Sequence, residues 1–278
     1  MEALNRDEHI IRAVSFDLWE TLLFENDGAS TRRARARWKN LTEELNSLGV
    51  RVSLEDVSAA ISEVISLLVT VWESNRDVSC VDQIRLIIKR ASRNSLDLKP
   101  EWIKRLVSAY NSSILEVPPY LNPEARKVMV GLKERHKQIG LICNTGLTSG
   151  NGLREFLANE RVPEYFDSMI FSEEIGIRKP DPRIFRLAAE DLDVQPCEIV
   201  HVGDNLKTDV WGAKNAGLKA IYFSSQQGRD RIAESDPKSL VSLSRKLNSL
   251  NGRKVVPDIT ISSLSMLMKA IEELERQS

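Results

Sequence analysis

The chain has 278 residues, 42 % hydrophobic and 28 % charged, the proportions of a globular protein, which excludes disordered and collagen-like classes. Its 39 Lys and Arg against 40 Asp and Glu leave a formal charge of −1, which argues against a nucleic-acid coat or a polybasic membrane anchor. Cys80, Cys143 and Cys197 form neither a CxxC pair nor a Cys/His cluster, so structural zinc is not expected and a reducing cytoplasm is. The opening MEALNRDEHI carries charge where a signal peptide needs an apolar stretch, and the longest greasy run, Val64 to Trp72, is too short to span a bilayer.

The run from Ile10 to Phe16 is short, apolar and β-branched, the pattern of a buried strand, and it stops at Asp17. After a turn-like stretch at Glu25 to Gly28, helices are expected over Thr31–Leu48, Ser53–Ser74, Cys80–Ser92 and Pro100–Leu115. The second is the clearest, with Val57, Ile61, Val64, Ile65 and Leu68 on one stripe and Ser53 with Asp56 at its start. The proline-rich VPPYLNP, Val117 to Pro123, cannot continue a helix and marks a boundary.

Beyond it helix and strand alternate. Helices at Glu124–His136, Leu153–Asn159, Arg183–Asp191 and Thr208–Asn215 each precede a strand, at Ile139–Cys143, Ser168–Phe171, Glu198–Val202 and Lys219–Phe223. Ser224 to Lys254 is polar and weakly helical, and a last strand (Asp258–Ser262) and helix (Ser265–Glu275) follow. Alternation of this kind implies right-handed βαβ units, hence an α/β fold: a Rossmann-like parallel sheet with helices on both faces. The expected division is a discontinuous core, residues 1–24 and 119–278, with an all-helical cap at residues 25–118 inserted after the first strand.

Ligands of open parallel sheets bind beyond the carboxyl ends of the strands. The residues that fall there are Asp17-Leu18-Trp19-Glu20-Thr21, Cys143-Asn144-Thr145 and His201-Val202-Gly203-Asp204-Asn205, with Asp209 a turn further on and Lys179 before the third of the later helices. Three carboxylates and a lysine on one edge make a site for a divalent cation and an anion, and Mg²⁺ is commonly held by one or two carboxylates with waters left for substrate phosphate.

In this ordered set the chain resembles the haloacid dehalogenase superfamily of hydrolases, over residues 10–24 and 120–278. FDLWETL looks like the first motif, LICNTG the second, GIRKPDPRIF the third and HVGDNLKTDVWGAKNAG the fourth, and the helical insertion between the first two is also a family arrangement. The resemblance implies that Asp17 is the nucleophile of a covalent aspartyl intermediate, which water hydrolyses, and that Lys179 neutralises the pair formed with the substrate. It further implies Mg²⁺ held by Asp17, the backbone carbonyl of Trp19, Asp204 and Asp209.

Two departures stand out. Phosphatases of the family carry a second Asp two residues after the nucleophile as general acid and base, and here that position is Trp19, with Glu20 expected to point away. An aromatic at that place resembles the metal-free dehalogenases, whereas Gly203-Asp204 and Asp209 keep the phosphatase pattern. The second motif has Cys143 in place of a phosphoryl-binding hydroxyl, leaving Asn144 and Thr145 as further substrate contacts. Arg32, Arg33, Arg35 and Arg37 go nearly all round the first inserted helix, the pattern of a solvated face, with Arg33 the candidate to turn inward and meet an anionic substrate. The expected activity is hydrolysis of a small phosphorylated metabolite by a cytoplasmic monomer or homodimer. The alternatives are a 2-haloacid dehalogenase acting on a halogenated acid and a weakly catalytic binding or regulatory protein; neither nucleic acid nor membrane is an expected partner.

Overall fold

The computed structural model describes residues 10–92, 98–225 and 254–277, so most of the stretch read as weakly helical at Ser224 to Lys254 lies outside the described residues. Six strands, β1 (Ala13–Phe16), β4 (Gln138–Cys143), β5 (Ser168–Phe171), β6 (Ile199–Gly203), β7 (Lys219–Phe223) and β8 (Ile259–Ile261), form one parallel sheet in the order β5-β4-β1-β6-β7-β8. Between β1 and β4 come two further short strands, β2 (Leu23–Phe24) and β3 (Tyr120–Leu121). Every residue of β1 is buried, as the unbroken apolar run requires of a strand covered on both faces.

Alternate residues feed two cores. On one face Val14, Phe16, Leu141, Val200 and Val202 meet the helices α5 (Ala125–Glu134), α6 (Gly150–Asn159) and α10 (Leu267–Gln277). On the other Ala13, Ile142, Ile199 and Ala220 meet α8 (Pro182–Asp191) and α9 (Gly212–Ala216), and between β5 and α8 lies the single turn α7 (Ser172–Ile175). The chain leaves β1 and returns only at β4, its neighbour, while β6 flanks it on the other side. The carboxyl ends of β1, β4 and β6 therefore adjoin at the point where strand order reverses.

The excursion between β1 and β4 contains α1 (Ala29–Ser47), α2 (Leu54–Glu73), α3 (Cys80–Ala91) and α4 (Pro100–Glu116). They enclose a separate apolar core that includes Leu41, Leu45, Ile61, Val64, Ile84, Ile87 and Tyr110. The start of α2 is a capping box: Ser53 Oγ accepts from the Asp56 amide at 3.0 Å and the Asp56 carboxylate accepts from the Ser53 amide at 3.1 Å. Entry to and exit from this helical insert are tied together by β2 and β3, which pair antiparallel, Leu23 opposite Leu121 and Phe24 opposite Tyr120. A pair of two-residue strands carries no periodicity, and the sequence shows only a turn and a proline-rich boundary there. Among the described residues no helix is long and apolar enough to cross a membrane.

One expected helix takes another form. In place of a regular helix over Thr208–Asn215, the chain winds Leu206–Trp211 as a π-helix before entering α9. Asn205 caps it, its side chain accepting from the Lys207 and Thr208 amides at 2.9 and 3.0 Å. Wider turns of this type recur at functional sites, and this one carries Asp209.

Candidate active site

Asp17 ends β1, its amide donating to the Val202 carbonyl of β6 at 2.9 Å, so the sheet ladder fixes the backbone at the first residue past the strand. Lys179 Nζ, almost fully buried, donates to Asp17 Oδ1 at 2.6 Å and lies 2.7 Å from Asp209 Oδ1. Asp17, Asp204 and Asp209 bring one carboxylate oxygen each to within 4.8 Å of one another. Gly203 is required by this convergence, since a Cβ there would lie 2.4 Å from Asp209 Cγ.

The charges are out of balance. Burial pushes the Asp17 carboxyl up to about 6; the Lys179 charge works against this and the Asp209 charge with it. Asp204 is raised well above its ordinary value, by burial and then by the charges of Asp17, Asp209 and Glu20. Burial works to raise Asp209 too, but Lys179 and His201 outweigh it and hold that carboxyl far below its usual range. Burial opposes the Lys179 ammonium, yet the two carboxylates it touches keep it charged. One ammonium thus serves three carboxylates, and two of the three are held above their ordinary range by burial and by one another's charge.

Several expected contacts have other duties. Asn144, expected as a substrate contact, donates from its amide nitrogen to the Lys179 carbonyl at 2.9 Å and accepts at its oxygen from the Lys179 amide at 2.8 Å, clamping the backbone that carries the ammonium. Thr145 is buried, with its hydroxyl 3.1 Å from Ser172 Oγ and accepting from the Glu173 amide at 3.3 Å. Cys143 has no exposed surface and lies in the apolar core, where burial, and then the Asp17 charge, push its thiol far up, the surroundings of an unreactive small side chain.

Trp19 is half-buried against the sheet core at the place where an acid would stand, and the Arg33 guanidinium carbon lies 5.6 Å from its ring centroid. Glu20 does not simply point away. Its φ of +60° is left-handed, which breaks strand alternation and brings its carboxylate close enough to act on Asp204. Of the four arginines on α1, Arg32 and Arg35 are exposed while Arg33 and Arg37 are buried, so the helix is solvated on one side only.

Two further groups shape the site, one on an expected strand end and one that escaped sequence reasoning. His201 is buried, and burial pushes its pKa down, so the ring is neutral; Nε2 donates toward Asp209 Oδ1 at 3.4 Å, and Nδ1 accepts from Ser15 Oγ at 2.9 Å. Asp77, between α2 and α3, receives Arg178 Nη1 at 2.8 Å, Ser172 Oγ at 2.5 Å and Trp72 Nε1 at 2.9 Å, pinning the helical insert to the segment that precedes Lys179. Nothing in NRDVS marks that aspartate, because its partners are distant in the chain.

An acidic residue at the end of a central parallel strand, a lysine on its oxygen and two further carboxylates gather on one edge of the sheet. Comparison with known proteins gives the family. Residues 11–217 match the haloacid dehalogenase-like hydrolases, and the chain belongs to that family. It is 28 % identical over 218 residues to glyceraldehyde 3-phosphate phosphatase of Pyrococcus abyssi, covering 77 % of this chain and 82 % of that protein. Over 123 residues, 44 % of this chain and 47 % of the other, it is 35 % identical to phosphoserine phosphatase of Thermus thermophilus. Among solved structures, 2-haloacid dehalogenase from Pseudomonas syringae pv. Tomato DC3000 shares the fold at a TM-score of 0.64 and 21 % identity, covering 95 % of this chain and all of the other. A HAD phosphatase from Thermococcus onnurineus does so at 0.55 and 22 %, covering 94 % and 97 %.

Proposed function

We propose that the chain is a Mg²⁺-dependent phosphatase of a small phosphorylated metabolite, with Asp17 as nucleophile and the helical insert, residues 25–118, as a cap over a core of residues 1–24 and 119–278. The observation that carries this reading is the cluster of Asp17, Asp204 and Asp209 around a single lysine. The donor set fits a hard divalent cation, since three carboxylates converge and the electrostatics of two of them call for added positive charge. Asp17, the Trp19 carbonyl, Asp204 and Asp209 would hold it, Asp209 directly or through waters. When bound, Mg²⁺ supplies charge neutralisation for an anion approaching a carboxylate.

The chain's own groups do the rest. The free oxygen of Asp17 attacks phosphorus and the P–O bond to the leaving group breaks, giving an aspartyl phosphate and the released alcohol or alkoxide. Water then attacks phosphorus, releasing phosphate and restoring the Asp17 carboxylate. Lys179, held by Asn144, keeps Asp17 ionised and faces the developing charge as a point cation. With Trp19 in the acid's place, no side chain stands two residues past the nucleophile to protonate the departing oxygen. One chain supplies every residue named, which suits a monomer or a homodimer, and the three free cysteines suit a reducing compartment such as the cytoplasm.

The test is phosphate release from a panel of phosphomonoesters, with Asp17→Asn and EDTA each expected to abolish it. Trp19 favours a second reading, a 2-haloacid dehalogenase. Halide release from 2-chloropropionate that survives EDTA, with no phosphate release, would replace the first reading by the second.

A further inference from the structure

The remaining unspent charge near the site lies under α1. Arg33 and Arg37, one turn apart, are 5 % and 4 % exposed. A buried guanidinium is costly unless its charge is paired and its N–H groups are bonded. Arg33 pairs with Glu25 through Nη1 and donates from Nε to the Val117 carbonyl at 2.9 Å, but its Nη2 has no hydrogen-bond partner among the described residues. Arg37 donates from Nη2 to Thr148 Oγ1 at 2.8 Å and from Nε to the Tyr110 carbonyl at 3.3 Å, and lies 4.9 Å over the Tyr110 ring. Both bonds are to neutral oxygens, and no carboxylate among the described residues forms an ion pair with it. Of the two guanidiniums only Arg33 has an ion-pair partner among the described residues, which leaves the Arg37 charge without a carboxylate bonded to it.

That charge adjoins the nucleophile's surroundings. Arg33 stands over Trp19, two residues beyond Asp17, and Arg37 holds Thr148 in the loop after β4, the loop whose Asn144 clamps Lys179. Burial pulls the Arg37 guanidinium below its ordinary range and the Arg33 charge pulls it further, against the Tyr110 contribution, so an anion here would relieve a cost already present.

Resting on the phosphatase reading, we propose that Arg33 and Arg37 form the subsite for a carboxylate on the leaving group, so that the substrate is a phosphorylated carboxylic acid. The residual charge of one matches a monoanion, and the planar N–H edge of a guanidinium matches a carboxylate's two oxygens. A second phosphate, as a dianion, would leave the buried space negative.

The experiment compares substrates differing at that group alone: O-phospho-L-serine with O-phosphoethanolamine, and 3-phospho-D-glycerate with D-glyceraldehyde 3-phosphate, all with Mg²⁺. The wild type is expected to prefer the carboxylate-bearing member of at least one pair by about 30-fold or more in kcat/KM, the scale of a charge-assisted bidentate contact. Arg37→Met is expected to bring that ratio to within about threefold without lowering the melting temperature of the ligand-free protein, because no ion-pair partner is stranded. Arg33→Lys, which keeps the charge toward Glu25 but loses the open Nη2, is expected to erode the same preference. Phosphate release with a ratio near one in both pairs would overturn the subsite and leave the phosphatase standing. So would an Arg37→Met protein that keeps the preference, or a stronger preference for a bisphosphate than for either acid. Absence of phosphate release from all four substrates and from p-nitrophenyl phosphate would instead overturn the phosphatase reading, and the subsite with it.

Discussion

Trp19→Asp separates the carboxylate nucleophile from its missing partner. On the proposed mechanism the wild-type chain attacks through Asp17 with an indole where the leaving oxygen would need a proton, and a positioned acid contributes about 10²–10⁴-fold. The replacement removes roughly half of a large aromatic from the sheet core. At about 100 Å² of apolar surface this costs on the order of 2–3 kcal/mol. The new carboxylate faces the Arg33 guanidinium, which lies 5.6 Å from the present ring centroid. At that separation and an effective dielectric of ~20 the attraction is about 3 kcal/mol, less whatever Glu25 already takes up. The variant should therefore fold with a small net loss, readable as a few degrees of melting temperature. Initial-rate phosphate assays should show kcat on an alkyl phosphomonoester rising by about 10²-fold or more. The rate on p-nitrophenyl phosphate should change little, because its leaving group departs as an anion. A folded variant that accelerates both substrates equally, or neither, would refute the idea that the indole displaces an acid.

Cation binding should be acid-labile in a defined window. A carboxyl pushed up from 3.8 to about 6, as Asp17 is, holds its proton below that value, so protons and Mg²⁺ compete for the same oxygens. The Mg²⁺-induced rise in melting temperature should be full near pH 8 and absent by about pH 5, and an equal gain at both would contradict the metal assignment. Asp77→Ala strands the buried Arg178 and frees one attachment of the helical insert, so urea unfolding should show a loss of about 3–5 kcal/mol; a loss below 1 would mean that the contact is dispensable. Of the three thiols only Cys197 is exposed, so native protein should show one fast thiol with a disulfide reagent, and none after Cys197→Ser; rapid reaction of Cys143 would refute its burial.

Much of the core was legible because both its periods are simple. The strands at Ser168–Phe171 and Lys219–Phe223 have the bounds expected of them, and the four inserted helices begin and end within a few residues of their expected limits. The four carboxylate and lysine positions were legible because strand ends in a parallel sheet share one edge. What stayed hidden depends on contacts remote in sequence. Asn144 and Thr145 are polar residues at the right place, yet their partners Lys179 and Ser172 lie 35 and 27 residues on, and no local pattern shows that they are occupied. Glu20 was misjudged for the opposite reason, a local backbone choice: alternation holds only while φ stays extended. Arg33 and Arg37 share a face at i and i+4, a spacing read as well by solvent as by a buried cavity. Only the position of α4, whose Tyr110 carbonyl accepts from Arg37, decides between them.

Trp19 and the two buried arginines are best understood as one arrangement. Around Asp17 lie Asp204, Asp209 and Glu20 against Lys179, a surplus of negative charge that suits the proposed cation. Under α1 lie Arg33 and Arg37 against Glu25, a surplus of positive charge. A carboxylate at position 19 would sit between them and cancel the second surplus through Arg33, exchanging a leaving-group acid for a discharged anion pocket. The indole carries no charge, and its face accepts the Arg33 guanidinium without neutralising it. The absence of an acid at position 19 and the retention of a buried arginine pair with only Glu25 paired to it are then the same choice. Hence Trp19→Asp, which is expected to speed the cleavage of alkyl phosphates, is also expected to weaken discrimination for a carboxylate on the leaving group. Measuring kcat/KM of that variant on O-phospho-L-serine and O-phosphoethanolamine decides it, because independent roles for the two sites would raise both rates and leave their ratio where it was.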